Sequence, residues 1–234
     1  MSVPRLLLVF LVALGVALAA ATPVEVLLST SGAADRLTAR ETHGTVWKGR
    51  LENAALGGAD LGRLDLSLHA ASLLRGRPAL DFAAQGDAFA GRGRLIAGDG
   101  IAVEALDGRA PLSALGVTSS VSGSVALRDV AVVFGEGRCQ SASGRISADV
   151  RIQGDRPVAL SGRAACQGDD LVLTLTGAMD DAPVEIVTRL GMSGRYRTAV
   201  RVTTTDPTLG ALLSADGFAG DGAGFSKTSE GRFT

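Results

Sequence analysis

Few side chains in this sequence are of types that do covalent chemistry. The only histidines are His43 and His69, and the only cysteines are Cys139 and Cys166. A histidine can act as a general base, but His43 directly precedes a glycine and His69 ends the polar stripe of an alternating segment, both ordinary surface settings. The adjacent acids Asp169–Asp170 and Asp180–Asp181 do not by their adjacency set the separation that two-carboxylate hydrolysis needs, and aspartates so placed cap turn backbone. Gly91-Arg92-Gly93 and Gly135-Glu136-Gly137 each begin a Gly-x-Gly. Neither has the third glycine in place or the strand-to-helix setting of a dinucleotide loop, and both read as turns. No Gly-x-Ser-x-Gly elbow and no phosphate-cradling Gly-x-x-x-x-Gly-Lys occurs. The histidines lie far from either cysteine and lack ligand spacing, so no metal site is expected. We therefore read the chain as non-enzymatic, with no catalytic, cofactor-binding or metal-binding residue assigned.

Composition bounds what remains. With 234 residues and 46% hydrophobic content, the chain can bury a core as one domain or two small ones. A net charge of -1, from 23 basic and 24 acidic residues, provides no overall positive field for nucleic acid. Aromatics make up only 4%, too few for the aromatic girdles of a polytopic or outer-membrane protein. Basic residues are nearly all arginine, with lysine only at Lys48 and Lys227.

The first segment sets the compartment. Leu6 to Ala21 is an uninterrupted apolar run preceded by Arg5, and Glu25 is the first charge beyond it. Charge on the leading side predicts a cytoplasmic N-terminus, with everything from about Thr22 onward exported. Ala19, Ala20 and Ala21 satisfy the small-residue rule for signal cleavage, whereas Pro23 and the apolar Val24 to Leu28 extend the run towards an uncleaved single-pass anchor. We expect the anchor, over residues 1–28 with its junction. In an oxidising compartment two cysteines are more often bridged than free, so Cys139 and Cys166 are expected to form a disulfide, two buried thiols being the alternative.

Beyond the anchor the dominant hydrophobic period is two, the signature of strands with one buried face. Leucines 64, 66 and 68 alternate with Asp65, Ser67 and His69, and Ile146, Ala148, Val150 and Ile152 alternate with polar residues from Arg145 to Gln153. Leu171, Leu173 and Leu175 form another stripe. Weaker alternation marks Thr45 to Leu51, Ala79 to Gln85, Ala88 to Ile96, Ile101 to Leu106, Val125 to Phe134, Val158 to Ala164, Val184 to Leu190 and Tyr196 to Thr204. Gly98-Asp99-Gly100, Gly168-Asp169-Asp170, Asp180-Asp181 and similar clusters between them supply turn chemistry for antiparallel neighbours. The fold class is therefore mainly β: an N-terminal transmembrane helix, then a curved antiparallel meander of about ten strands.

A few short helices interrupt it. Ala110 to Leu115 and Asp206 to Leu213 each place proline at a plausible first helical position, and the apolar Ala70 to Leu74, before Arg75-Gly76-Arg77-Pro78, is a candidate helical turn. The β-rich domain is expected over residues 29–218, with two similar halves at 44–115 and 123–213, and residues 219–234 form a tail or closing hairpin.

His43-Gly44-Thr45-Val46-Trp47-Lys48-Gly49-Arg50-Leu51 contains the only tryptophan. It resembles the Gly-Thr-x-Trp-x-Gly signature that opens the periplasmic region of the type II secretion system protein N family. The resemblance continues through Leu61-Gly62-Arg63-Leu64 and the two cysteines to Gly217-Phe218. Where the family carries a second tryptophan, this chain has Leu66. By period, Thr45, Trp47 and Gly49 fall on one strand face, with Gly44 and Gly49 allowing close backbone approach, and Trp47 reads as a core anchor before it reads as a partner contact. Gly44, Thr45, Trp47, Gly49, Gly217 and Phe218 thus make up the family motif, structural or partner-contacting.

The resemblance implies an inner-membrane accessory protein whose partners are other type II secretion subunits of the inner membrane and periplasm, and no catalytic residue comes with it. Long amphipathic meanders beside an anchor also resemble the AsmA-like group, in which a curved sheet offers an apolar groove to lipid, and this is the alternative reading.

Overall fold

The computed structural model describes residues 37–57, 59–115, 121–152 and 156–232. The segment expected to anchor the chain, residues 1–28, lies outside the described residues, and no helix among those described is long and apolar enough to cross a membrane. The elements run β1 (Leu37–Thr38), β2 (Glu41–Thr45), β3 (Lys48–Leu56), β4 (Ala59–Leu68), α1 (Ala70–Leu74), β5 (Ala79–Gln85), β6 (Ala90–Ala97) and β7 (Gly100–Pro111). After a 3-10 turn, Leu112–Leu115, come β8 (Val121–Gly135), β9 (Arg138–Ile152), β10 (Arg156–Gln167), β11 (Asp170–Met179), β12 (Ala182–Leu190), β13 (Arg195–Val202), α2 (Pro207–Ala215), β14 (Ala219–Gly220) and β15 (Phe225–Arg232).

From β3 to β13 each strand pairs antiparallel with its neighbours in sequence, and the order ends β13-β15-β14. Both β1 and β2 pair with β3, and among the described residues the sheet is open. It has fifteen strands where the periodicity predicts about ten. The surplus is short or polar: β1 and β14 have two residues each, β2 is the polar Glu41–Thr45, and β15 is exposed along nearly its whole length, so none of these has an apolar stripe to reveal it.

Turn chemistry explains the tight reversals. Glu136–Gly137 joins β8 to β9 and Asp180–Asp181 joins β11 to β12, with φ of 52° and 80° in the first pair and 47° and 68° in the second. Paired positive φ values mark the two-residue turn whose twist matches that of the flanking strands. Three interior residues, Asn53, Ala105 and Asp129, also have positive φ, and each sits at a register shift. Such bulges bend and further twist a strand while restoring its inward face. Thus Leu51 and Ala54 are both buried on β3 although three positions apart.

Gly91-Arg92-Gly93, read above as a turn, lies inside β6. Gly93 stands opposite Phe82 of β5, and a Cβ added there would sit 3.1 Å from the Phe82 ring. The glycine leaves room for the aromatic ring on the neighbouring strand. Pro111 also departs from expectation. It ends β7 opposite Ser124 and does not open a helix, the following four residues forming the 3-10 turn.

Alternation puts the apolar stripes on one sheet face, where three clusters form. Leu51, Ala54, Leu64, Leu66 and Ala84 pack under the first strands. Val130, Val132, Cys139, Ile146, Ala164 and Leu171 pack at one end of the later strands. The other end is covered by α2 and the 3-10 turn, with Leu209, Leu213 and Leu112 against Leu160, Met179, Val184 and Val202.

Candidate interaction surface

The motif residues build two local structures at well-separated places in the strand order. Gly44, Thr45, Trp47 and Gly49 belong to the β2–β3 hairpin, where Thr45 faces Lys48 and Gly44 faces Gly49. Val46 and Trp47 are therefore its two turn residues. The expectation that Thr45, Trp47 and Gly49 share a strand face does not hold, because the chain reverses between the first and the last. Val46 is the buried member of the turn and Trp47 is half-buried. The Ser67 hydroxyl donates to the Trp47 carbonyl at 3.1 Å, tying the turn to β4. Gly44 takes φ of +89°, and a Cβ on it would collide with the Lys48 carbonyl oxygen. Gly49 pairs on its other side with Leu66.

Gly217 and Phe218 close α2. The Gly217 N–H donates to the Ser214 carbonyl and the Phe218 N–H to that of Leu213, both at 3.0 Å. With Gly217 at φ +81°, this is a Schellman termination, and Phe218 packs on the same cluster as Leu209 and Leu213. At the start of the helix the Asp206 carboxylate accepts the Thr208 N–H at 2.8 Å, satisfying one orphan donor. Lys227 donates to the Asp216 carbonyl at 2.7 Å, where a cation complements the helix C-terminus. Gly217 and Phe218 thus terminate α2 and pack its end against the core.

Cys139 and Cys166 form a disulfide with Cα atoms 5.5 Å apart. It joins the start of β9 to the end of β10 within the apolar cluster of the later strands, beside a hydrogen bond from the Cys139 N–H to the Asp169 carbonyl.

The polar face of β2 to β7 carries charges in cross-strand rows. One row runs His43, Arg50, Asp65, Ala83, Arg92 and Asp107, and a second runs Ser67, Asp81, Arg94 and Glu104. Opposite charges face each other: Arg50 Nε lies 2.7 Å from Asp65, Arg63 3.2 Å from Glu52, and Arg94 2.6 Å from Asp81. Asp81 also meets His69 Nε2 at 2.6 Å. The Arg94 guanidinium, and secondarily His69, hold the Asp81 carboxyl below the usual carboxylate range against the opposing effect of burial. Arg50 and Arg94 are raised in turn, chiefly by their hydrogen bonds to Asp65 and Asp81. The Asp107 carboxylate accepts the N–H of the bulge residue Asp129 at 2.9 Å. The residues of the two rows line an open trough of about 1040 Å³.

Among the described residues the His69–Asp81 pair is the closer of two histidine–carboxylate contacts, the other being His43–Glu41 at 3.4 Å, and so the setting nearest to acid–base chemistry. Ser67 faces Asp81 across the strands, but its hydroxyl hydrogen goes to the Trp47 carbonyl and is not presented to His69. Ser67 is therefore not placed as a nucleophile activated by the pair. Among the described residues no group of three or more His, Cys, Asp or Glu side chains is placed to hold a metal. The rows escaped the sequence reading because opposite charges on the polar stripes of consecutive strands become pairs only once register is known.

No curated protein and no solved structure matches this chain. A family model described as type II secretion system (T2SS), protein N matches residues 35–228.

Proposed function

Because this chain belongs to the type II secretion system protein N family, a family of non-catalytic secretion components, we propose that it is an accessory subunit of that machinery. It is held in the inner membrane by residues 1–28, carries its β-sheet in the periplasm, and works through non-covalent contact with other secretion subunits.

The observation that supports a contact role is the outer edge of β15. One side of β15 pairs with β13 over eight positions, while β14 covers only Phe225 and Ser226 on the other. From Lys227 to Arg232 the outer backbone has no strand partner among the described residues. Such an edge accepts an added strand, with main-chain hydrogen bonds supplying affinity. Polar, exposed side chains along it keep it from pairing indiscriminately.

The test is site-specific photocross-linking in secreting cells, with a photoreactive amino acid at Ser229 of the full-length chain. The proposal expects an adduct whose mass and peptides identify another secretion subunit. Adducts confined to unrelated envelope proteins would contradict it. A reporter at Arg128, on the interior strand β8, is the control that separates edge contact from mere abundance.

A further inference from the structure

The connection between β4 and β5 projects an apolar tip that the fold does not use. Leu74 is 92% exposed and Leu73 40% exposed, and Ala70 and Ala71 beside them are also exposed. The tip is held in place. The Ser72 hydroxyl donates to the His69 carbonyl at 2.6 Å and accepts the Ala79 N–H at 2.9 Å. The Arg75 and Arg77 N–H groups both reach the Ser72 carbonyl, and the Gly76 N–H reaches that of Leu73. One serine thus staples both ends of the excursion, and the two leucines are presented outward by a fixed turn.

Its charge is one-sided. Arg75 and Arg77 follow the leucines, the span from Ala70 to Pro78 contains no acidic residue, and neither arginine is engaged in an ion pair among the described residues. The arginines of the polar trough, by contrast, face carboxylates. Ile101 and Leu95, 52% and 38% exposed, flank the β6–β7 turn at the same end of the sheet, since Ala79 faces Ile96 and Ala97 faces Ile101.

We propose that the Leu73–Leu74 tip, with Arg75 and Arg77, is a second membrane contact that dips into the interface of an anionic bilayer. The tip is small, a single five-residue helix and the turn after it. A protein–protein interface needs a broad complementary surface, whereas two leucines backed by cations match the shallow insertion of apolar side chains below an anionic headgroup layer. Reach allows it, resting on the reading that residues 1–28 anchor the chain. Leu37 pairs with Leu56 at the far end of β3, so the tip is roughly one nine-residue strand away, about 30 Å. Residues 29–36, fully extended, span about as much. Both contacts meet the same bilayer when the strands lie along its surface.

The test uses the full-length chain with Leu74→Cys, whose thiol is the free one when Cys139 and Cys166 are bridged, labelled with an environment-sensitive fluorophore. The protein is reconstituted into vesicles of phosphatidylcholine alone or containing phosphatidylglycerol. Flotation reports the anchor; emission shift and quenching by nitroxide-bearing acyl chains report the tip. The proposal expects flotation in both lipids, with blue-shifted, quenched emission in the anionic vesicles. Reversing both arginines (Arg75→Glu with Arg77→Glu) should lower the inserted fraction about tenfold or more. Flotation with solvent-like, unquenched emission would overturn the tip contact while leaving the anchor standing, and would point to a protein on this surface. Failure to float overturns both. Equal quenching in the two lipids would overturn the role given to the arginines. Since the altered side chain is solvent-exposed, an unchanged far-ultraviolet dichroism spectrum is the expected check on folding.

Discussion

Gly44 stands directly across from Gly49 in the β2–β3 hairpin, and its backbone adopts a conformation, φ +89°, that side chains disfavour. Gly44 therefore helps to set the geometry of the turn at this point. Gly44→Ala should destabilise the protein by more than the ~1–2 kcal/mol of the left-handed backbone penalty, because the added methyl also meets the Lys48 carbonyl. Gly76→Ala isolates the penalty alone, since Gly76 has φ +69° with nothing within 4 Å of an added Cβ. Urea midpoints for the two variants give the comparison; equal losses would remove the steric argument.

Leu51 is fully buried and Leu74 almost fully exposed. Leu51→Ala should cost roughly 2–5 kcal/mol, and Leu74→Ala should stay within about 0.5 kcal/mol of the parent. Thermal or chemical denaturation measures both. A neutral Leu51→Ala would mean that the first strands are not packed as a core.

The Cys139–Cys166 bridge closes a separation of 27 residues, for which chain entropy predicts a stabilisation of about 3.5 kcal/mol. Reduction, or replacement of both cysteines by serine, should lower the urea midpoint accordingly without loss of strand content. Rapid labelling of both thiols in native protein kept free of reductant is the result that would refute the bridge.

Asp81 supplies the pH dependence. Its folded-state pKa is depressed by Arg94 and then His69, so the unfolded chain binds the proton more readily. The contribution to stability is present above the unfolded value of about 3.9 and is lost as the pH falls through the lower folded value. Asp81→Asn should therefore be less stable than the parent near neutrality and converge with it in acid. The side chain is 38% exposed, so the difference is small and shrinks with salt. Parallel stability curves for the two proteins from pH 7 down to about pH 2 would contradict the assignment.

Much of this architecture is legible wherever alternation runs unbroken. Ala79 to Gln85 is a strand over its expected bounds, because no bulge or glycine turn interrupts its stripe. The stripe of β3 shifts phase at Asn53, so its apolar period leads only to Leu51 although the strand continues to Leu56. Trp47 misleads for a related reason. Neither Val46 nor Trp47 is a turn former, and the positive φ that shapes the hairpin falls on Gly44, one residue before the turn's flanking pair. The end of α2 is legible in Gly217, since glycine past a leucine-rich helix is a termination signal. The charge rows and the Ser72-stapled tip depend on register and on side-chain hydrogen bonds, which periodicity does not contain.

The central claim, a role in type II secretion exerted by contact, is tested most directly by the distribution of a secreted cargo between periplasm and medium. The strain lacks this gene and is compared with and without a plasmid copy. The account predicts periplasmic accumulation of folded cargo that the plasmid corrects, with correction weakened when the copy carries a proline at Thr228 on the outer strand. Cargo reaching the medium unchanged in the deletion strain would contradict it.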